Sequence, residues 1–242
     1  MTTSDALGAS ARKVMISIFR KKDVTAVDRH FGESFIQHDP NLADGLAGMK
    51  SLAAEIASSP AADITIYRTL VDGDFVLLHS RFQGGRYARP VIAFDLFRFR
   101  DGKIVERWGG QEPETSPNLS GRTQVDGLTD VRDRERTEAN RTLVRTYRQT
   151  IMVELRFDRI EDFFDSSLVQ HASKIGDGIA QLRARIASVA KKGDSCTSPR
   201  AVSWPKATLC LFCRKEISLR DLLRFTICFE SRTAKSSSIG TC

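Results

Sequence analysis

Residues 63–108 decide the fold, and they read DITIYRTLVDGDFVLLHSRFQGGRYARPVIAFDLFRFRDGKIVERW. Four segments of this stretch are rich in β-branched and aromatic residues, and they lie at 63–71, 74–82, 88–99 and 103–108. Between them stand the dipeptides Asp72-Gly73, Gly84-Gly85 and Asp101-Gly102, which are typical of tight hairpin turns. The pattern therefore predicts a meander of four antiparallel strands.

The residues before this stretch have the apolar spacing of helices. Val14, Ile18, Val24 and Val27 recur at helical intervals. Helices that precede an antiparallel meander indicate an α+β fold, because the helices can bury one face of the sheet. We predict that residues 1–112 form a curved antiparallel sheet closed by three helices around a pocket.

A second region of the chain repeats part of the first. Residues 31–57 and 164–190 align without a gap at an offset of 133. The shared residues include Gln37-His38 with Gln170-His171, and Asp44-Gly45 with Asp177-Gly178. Residues 109–127 are rich in Gly, Pro, Ser and Thr, as linkers are. We therefore predict a linker at 113–136 and, at 137–193, a partial second copy that retains helices only.

The repeat stops after Gly193, and all five cysteines lie in the last 47 residues. Read in a shifted frame from Thr226 and Ile227, the allowed codons give DLFRIEDGKIVEHW. That string agrees with residues 95–108 at 11 of 14 positions. Residues 194–242 are therefore predicted to be an out-of-frame, irregular tail, since a sequence not selected to pack has no consistent fold signals.

Composition excludes several classes of protein. With 41% hydrophobic and 28% charged residues, the chain has the composition of a globular protein, and it lacks an apolar run of membrane-spanning length. The first residues have no secretory leader, so we expect a cytoplasmic protein. The net charge is +7, yet the most charged stretch, 130–141, mixes both signs, which argues against nucleic-acid binding. The lone pair Cys210 and Cys213 indicates no metal site.

Two motifs carry a family resemblance: residues 35–40, Phe-Ile-Gln-His-Asp-Pro, and residues 95–108, DLFRFRDGKIVERW. They resemble the SnoaL-like polyketide cyclases of the nuclear-transport-factor-2-like superfamily, over residues 11–112 and again over 137–193. The resemblance implies a cone, made of a bent four-stranded sheet, three helices and a mostly apolar cavity. In the cyclase members an acidic side chain in the cone acts on a carbon next to a carbonyl, without a cofactor.

Asp95 is the best candidate for that acid. Strand alternation places it on one face with Ala93 and Phe97, and burial there would raise its pKa toward that of a general base. We predict that His38 and His79 assist it by polarising the carbonyl or orienting the base. The residues predicted to contact the substrate are Gln37, Phe97, Arg107 and Trp108.

Structural roles compete with these predictions. Asp95 could be bonded to a buried backbone group or an arginine, His38 could bridge the turn at 39–41, and Trp108 could be a core aromatic residue. His79 could likewise be a satisfied strand histidine. Related sequences commonly have Glu-His-Trp-Asp where this chain has Glu106-Arg107-Trp108-Gly109. Arg107 could bind an anionic substrate or lie on the surface.

The leading functional hypothesis is a small-molecule pocket protein acting on a largely apolar carbonyl compound as a cofactor-free cyclase or isomerase. The first alternative is a module that binds a ligand without catalysis, or that forms homodimers through the outer sheet face of Ile92, Phe94 and Leu96. The second alternative is the product of a decayed gene, without a selected activity.

Overall fold

The computed structural model describes residues 3–39, 41–127, 129, 136–164 and 166–191 of the 242-residue chain. The chain divides into two compact units, Met1–Glu114 and Thr115–Cys242. The predicted irregular tail, 194–242, lies outside the described residues and stays a prediction. In the described part of the chain, no helix is both long enough and apolar enough to cross a membrane.

The first unit contains the three predicted helices. They are α1 (Thr3–Phe19), α2 (Ala26–His30) and α3 (Gly45–Ala57). Helix α3 begins after Asp44, whose carboxylate accepts a hydrogen bond from the backbone N–H of Gly45 at 2.7 Å. This cap satisfies one of the backbone donors that the first turn of a helix leaves free.

Five strands form one open, curved sheet in the first unit. They are β1 (Phe31–Gln37), β2 (Asp63–Asp72), β3 (Phe75–Gly84), β4 (Tyr87–Arg100) and β5 (Lys103–Pro113), and their order is β1-β5-β4-β3-β2. Strands β2 to β5 form the predicted antiparallel meander. Register shifts interrupt the pairings, and such bulges bend a sheet. The α+β prediction is confirmed.

Strand β1 is an addition to the predicted sheet. It pairs in parallel with β5, opposing Gln37 to Arg107. The sequence did not indicate this strand because its centre, Gly32-Glu33-Ser34, is polar and lacks the alternation of apolar residues. The buried residues of β1 are Phe31, Phe35 and Gln37. The edge strand thereby contributes a polar side chain to the interior.

The helices pack against one face of the sheet, which we call the inner face. Its buried side chains on β3 and β4 include Val76, Leu78, Phe82, Ala93 and Phe97, and all of them belong to the cluster that also contains the apolar residues of α1 and α3. Alternation places their neighbours, such as His79 and Phe94, on the opposite, outer face.

Glycines make the hairpin turns. Gly84 and Gly102 have φ angles of +67° and +73°, in the left-handed region that favours glycine. A Cβ on Gly84 would lie 2.1 Å from the carbonyl oxygen of Ala61, whereas a Cβ on Gly102 would meet nothing within 4 Å. The two turns therefore share a backbone constraint, and only the first also has a steric one.

The described residues of the second unit form helices and turns, without a strand. Its elements are α4 (Thr137–Tyr147), a π-helical turn (Arg148–Val153), a 3-10 helix (Phe157–Asp162) and α5 (Ile179–Lys191). They surround a core of their own that includes Ile151, Ile160, Phe163 and Leu182.

The two aligned segments share local hydrogen bonds. The carboxylate of Asp44 accepts a hydrogen bond from the backbone N–H of Gln37 at 2.6 Å, and that of Asp177 accepts one from Gln170 at 2.8 Å. The backbone bond from Leu42 to residue 39 likewise recurs from Ile175 to residue 172. Each pair is separated by the same 133 residues. The turn before α3 and the turn before α5 therefore share these two hydrogen bonds.

Candidate active site

Asp95 and Arg107 meet on the inner face of the sheet. In the register of β4 and β5, Asp95 opposes Gly109 and Phe97 opposes Arg107, so the two charged residues are diagonal neighbours on one face. Arg107 Nε donates to Asp95 Oδ1 at 2.9 Å, and Arg107 Nη2 donates to the same oxygen. The Asp95 residue is only 1% exposed. One carboxylate oxygen of Asp95, Oδ1, is therefore bonded to a buried arginine, which is one of the structural roles considered for this residue.

Gln37 and Asp39 complete this polar cluster. The parallel pairing of β1 with β5 brings Gln37 beside Arg107, where its Oε1 accepts from Arg107 Nη1 at 3.3 Å and from the backbone N–H of Asp39 at 2.9 Å. Gln37 Nε2 donates to the sulfur of Met49 at 3.3 Å. Asp39 Oδ2 lies 3.8 Å from Arg107 Nη1. One guanidinium therefore stands between two carboxylates.

Burial dominates the electrostatics of the cluster. It raises the pKa of Asp95, and Arg107 opposes that shift through its charge and its hydrogen bonds. Burial disfavours the charge of Arg107 too, but Asp95 and Asp39 hold its pKa above the usual value. Asp95 Oδ2 accepts no hydrogen bond from the part of the chain that the structure describes. One carboxylate oxygen is thus committed to Arg107, and the other is available for a proton.

A narrow pocket lies next to the cluster, between the helices and the sheet. Its lining residues are Met15, Ile18, Phe19, Leu42, Met49, Leu52, Phe82, Arg86, Tyr87 and Arg107. The space that a water molecule can occupy is about 10 Å³, enough for about one water. Asp95 is not among the lining residues, whereas Arg107, which contacts it, is. A ligand must displace lining side chains, and Met15 and Met49 are the most adaptable of these.

Tyr87 is a site residue that the sequence analysis missed. Its ring lies 5.8 Å from that of Phe82 at an angle of 20°, and it lines the pocket with Arg107. Burial raises the pKa of Tyr87 to about 12, and the charge of Asp95 contributes, so the hydroxyl remains a neutral donor. The predicted strand began at residue 88, one position after Tyr87, so this residue was left outside the sheet. Asp39 was missed too, although it lies within the quoted motif at 35–40.

His79 does not lie with Asp95, which corrects the prediction that it assists this residue. Leu78 opposes Asp95 in the register, so His79, the next residue along the strand, points to the outer face. There its ring stacks on Phe94 at 4.4 Å and 9°, and its Nδ1 lies 3.3 Å from Arg68 Nη1. The two faces of the sheet separate His79 from the polar cluster.

His38, Trp108 and Phe97 also depart from the predicted site. His38 stacks on Trp108 with ring centroids 4.8 Å apart, and its Nε2 lies 2.7 Å from Glu106 Oε1. Trp108 opposes Leu96 and therefore lies on the outer face. Phe97 is on the inner face but is a fully buried core residue that does not line the pocket. Of the predicted residues, only Asp95, Arg107 and Gln37 come together. Alternation turns Trp108 to the outer face, whereas Phe97 shares the inner face and belongs to the core.

Metal ligands are not concentrated at this site. Among the residues described by the structure, no group of three or more His, Cys, Asp or Glu side chains could hold a metal ion.

Comparisons with solved structures found several similar proteins, and each of these matches covers less than half of this chain. TsrD from Streptomyces laurentii is 21% identical, over 43% of this chain and 89% of its own, with a TM-score of 0.37. An NTF2-like protein of unknown function from Mesorhizobium loti is 22% identical, over 46% and 95%, with a TM-score of 0.40. A candidate polyketide cyclase from Bacillus cereus ATCC 10987 is 24% identical, over 43% and 72%, with a TM-score of 0.38. No curated protein matches the chain.

The family model of the SnoaL-like domain matches residues 13–107. This range runs from α1 into β5 and includes Gln37, Asp95 and Arg107, and it covers less than half of the chain. The resemblance stated from the two motifs is thus confirmed as a SnoaL-like domain over 13–107, and over 137–193 it stays a prediction. Residues 13–107 are a SnoaL-like domain.

Proposed function

We propose that the unit Met1–Glu114 binds a small, largely apolar carbonyl compound and moves a proton on it with Asp95, as a cofactor-free isomerase or cyclase. The observation that supports this most is the state of Asp95, which is 1% exposed, with one oxygen on Arg107 and the other without a hydrogen bond from the described residues. A buried carboxylate so arranged is a stronger base than one in water.

The chain's own residues can supply each step of such a reaction. Asp95 takes a proton from the carbon next to the carbonyl, the electron pair of that C–H bond forms a C=C bond, and the π pair of the C=O bond moves to the oxygen. An N–H of Arg107 stabilises the resulting enolate oxygen. The protonated Asp95 then returns its proton, either to another carbon, which completes an isomerisation, or to the alkoxide formed when the enolate carbon attacks a second carbonyl. Neither route changes the overall oxidation state.

The test is exchange of carbon-bound hydrogen in a simple ketone. We expect the full chain to accelerate exchange of the α-hydrogens of 2-tetralone for deuterium in D2O, followed by proton NMR. Asp95→Asn should remove the acceleration, because general-base catalysis contributes about 10²- to 10⁴-fold. Asp28→Asn is the matched control, since this carboxylate is exposed and pairs with Lys50 on the surface. Equal rates for the native protein and Asp95→Asn would refute the role of Asp95.

A second candidate function is ligand binding without turnover. It is favoured by the pocket lining, which contains Arg107 and not Asp95. In that case the native protein binds 2-tetralone and does not accelerate exchange. The homodimer through Ile92, Phe94 and Leu96 stays a prediction, and in the structure Ile92 and Leu96 are each 3% exposed.

We also propose that the second unit arose by duplication of the first and that a frameshift produced the tail. The shared bonds at Asp44 and Asp177 support a duplication, with residues 137–193 as a partial second copy. A frameshift after about Gly193 accounts for the end of the repeat, and it leaves open that the full-length product has no selected activity. The gene sequence tests this, because the proposed frame requires the codon TCG at both Ser236 and Ser237. Any other codon at either position contradicts it.

A further inference from the structure

The polar side chains that line the pocket can all donate hydrogen bonds, and only the Tyr87 hydroxyl among them can also accept one. They are Arg86, Tyr87 and Arg107, and no carboxylate is among the described lining residues. Arg86 lies at 3.7 Å from Glu55, so its charge is offset at the edge of the pocket. Asp95 and Asp39 contact Arg107 from outside the lining. A ligand therefore meets donors first.

Arg107 keeps unused donors. Of the five N–H bonds of a guanidinium, one on Nε and one on Nη2 go to Asp95, and one on Nη1 goes to Gln37. Asp39 Oδ2, at 3.8 Å from Nη1, is beyond hydrogen-bond distance. Two N–H bonds, one on each Nη, therefore remain without an acceptor in the described part of the chain. These can bind an acceptor on a ligand without breaking the pair with Asp95.

Gly109 makes this position of the guanidinium possible. It opposes Asp95 in the sheet, and a Cβ at this residue would lie 3.1 Å from Arg107 Nη2 and 3.1 Å from Asp39 Oδ2. Both distances are shorter than ordinary van der Waals contacts, so a side chain here would push the guanidinium or the carboxylate away. The absence of a side chain at Gly109 thus helps to keep the Arg107 guanidinium in its position.

Charge decides which acceptor fits. Arg107 is flanked by Asp95 and Asp39, so the site carries no excess positive charge with which to attract a carboxylate. An ammonium group would meet two guanidinium groups that cannot accept its hydrogen bonds, and only the Tyr87 hydroxyl could accept one. An uncharged oxygen, as in a ketone, can accept from Arg107 and bring no buried charge of its own.

We propose that Arg107 anchors the uncharged oxygen of an apolar ligand, and that Gly109 is a positioning residue that determines this specificity. The inference rests on the proposed function, since it names the ligand class of the same pocket. It concerns only ligand binding and makes no claim about the reaction.

A ligand series on the native full chain tests the proposed class. The probes are 2-tetralone, its parent hydrocarbon tetralin, 2-naphthoate and 2-aminotetralin, measured by isothermal titration calorimetry. We expect 2-tetralone to bind about tenfold or more tightly than each of the others, because a hydrogen bond to a charged group is worth about this factor. Equal or tighter binding of the hydrocarbon, the carboxylate or the amine would overturn the proposal.

Gly109→Ala tests the positioning role. It should weaken 2-tetralone about fivefold or more and leave tetralin unchanged, because only the ketone uses the displaced N–H bonds. Gly102→Ala, in an open hairpin turn, is the control variant. Equal weakening of both ligands would mean a merely structural effect and would refute the assignment. A Gly109→Ala variant that does not fold would likewise mean a merely structural effect and refute the assignment, and the series on the native chain would then decide the ligand class alone.

The two proposals fail separately. A ketone preference without deuterium exchange refutes catalysis by Asp95 and leaves the anchor intact. Exchange without a ketone preference refutes the anchor alone.

Discussion

Arg107→Met should be the most destabilising charge removal in the first unit. Within the described residues, Asp95 accepts side-chain hydrogen bonds from Arg107 alone, and it is 1% exposed. Methionine fills similar volume but leaves the buried carboxylate without a partner, which costs about 3 to 5 kcal/mol. For a cooperative unit of this size, that loss lowers the Tm by about 12 to 20 °C. Arg86→Met is the control, because Arg86 is partly exposed and its pair should contribute about 1 kcal/mol or less.

The pH dependence of this loss identifies its cause. Burial raises the pKa of Asp95, and Arg107 is the group that opposes this shift. Without Arg107, the folded state holds a proton on Asp95 more tightly than the unfolded state does. Stability of the variant therefore rises as the pH falls through the folded pKa, by up to about 1.4 kcal/mol per pH unit, and is lost again as the pH rises. The gap between native protein and Arg107→Met should be smaller at pH 5 than at pH 8.

Urea unfolding followed by circular dichroism at the two pH values measures both effects. The double variant Asp95→Asn with Arg107→Met should be more stable than Arg107→Met at the higher pH, because it buries no charge. A loss below about 1 kcal/mol for Arg107→Met, or a gap that widens in acid, would refute the reasoning.

Three further predictions concern a turn, a helix cap and a histidine. Gly102→Ala should lower the free energy of unfolding by about 1 to 2 kcal/mol because of the positive φ at this residue. Gly84→Ala should lower it at least about twice as much, because only the Cβ at residue 84 would lie 2.1 Å from a backbone oxygen. Thermal unfolding compares the two variants, and equal losses of stability would contradict the steric argument. Asp44→Asn should flatten the acid limb of the stability curve. Backbone hydrogen bonds lower the pKa of Asp44, so its stabilisation is present above the unfolded value and is lost as the pH falls through the folded pKa; an unchanged acid limb in an acid titration would count against this. His38→Gln should leave exchange of 2-tetralone within about twofold of native, since this side chain is on the outer face, and a loss of about 100-fold would return it to the site.

The meander was predictable because Gly-containing dipeptides that favour hairpin turns separate its strands in the sequence. Asp72-Gly73, Gly84-Gly85 and Asp101-Gly102 fix the hairpins, and the alternation around Asp95 assigns it to the inner face. Strand β1 was not predictable in the same way. Its pairing with β5 depends on residues about 70 positions away, and its polar centre gives no local signal.

The site was predicted in part for a related reason. Asp95, Gln37 and Arg107 come together, but His38 follows Gln37 and Trp108 follows Arg107 directly along the chain, and both lie on the outer face. A contiguous motif suggests that all its residues belong to one site, whereas successive side chains of a strand point to opposite faces of the sheet. The bulge in β4 and β5 between Arg98 and Phe99 sets which residues face inward, and the sequence does not reveal it.

The parallel pairing of β1 with β5 has a consequence for synthesis of the protein. The first strand cannot pair until the last strand has been made, because Gln37 pairs with Arg107, about 70 residues later in the chain. Contacts of such long sequence separation slow folding, since a large loop has to close before they form. On the ribosome the hairpins of β2 to β4 can assemble early, while the polar cluster forms only after β5 has left the exit tunnel. A nascent chain that stops before residue 107 therefore exposes an unpaired β1 and carries no anchor for a ligand.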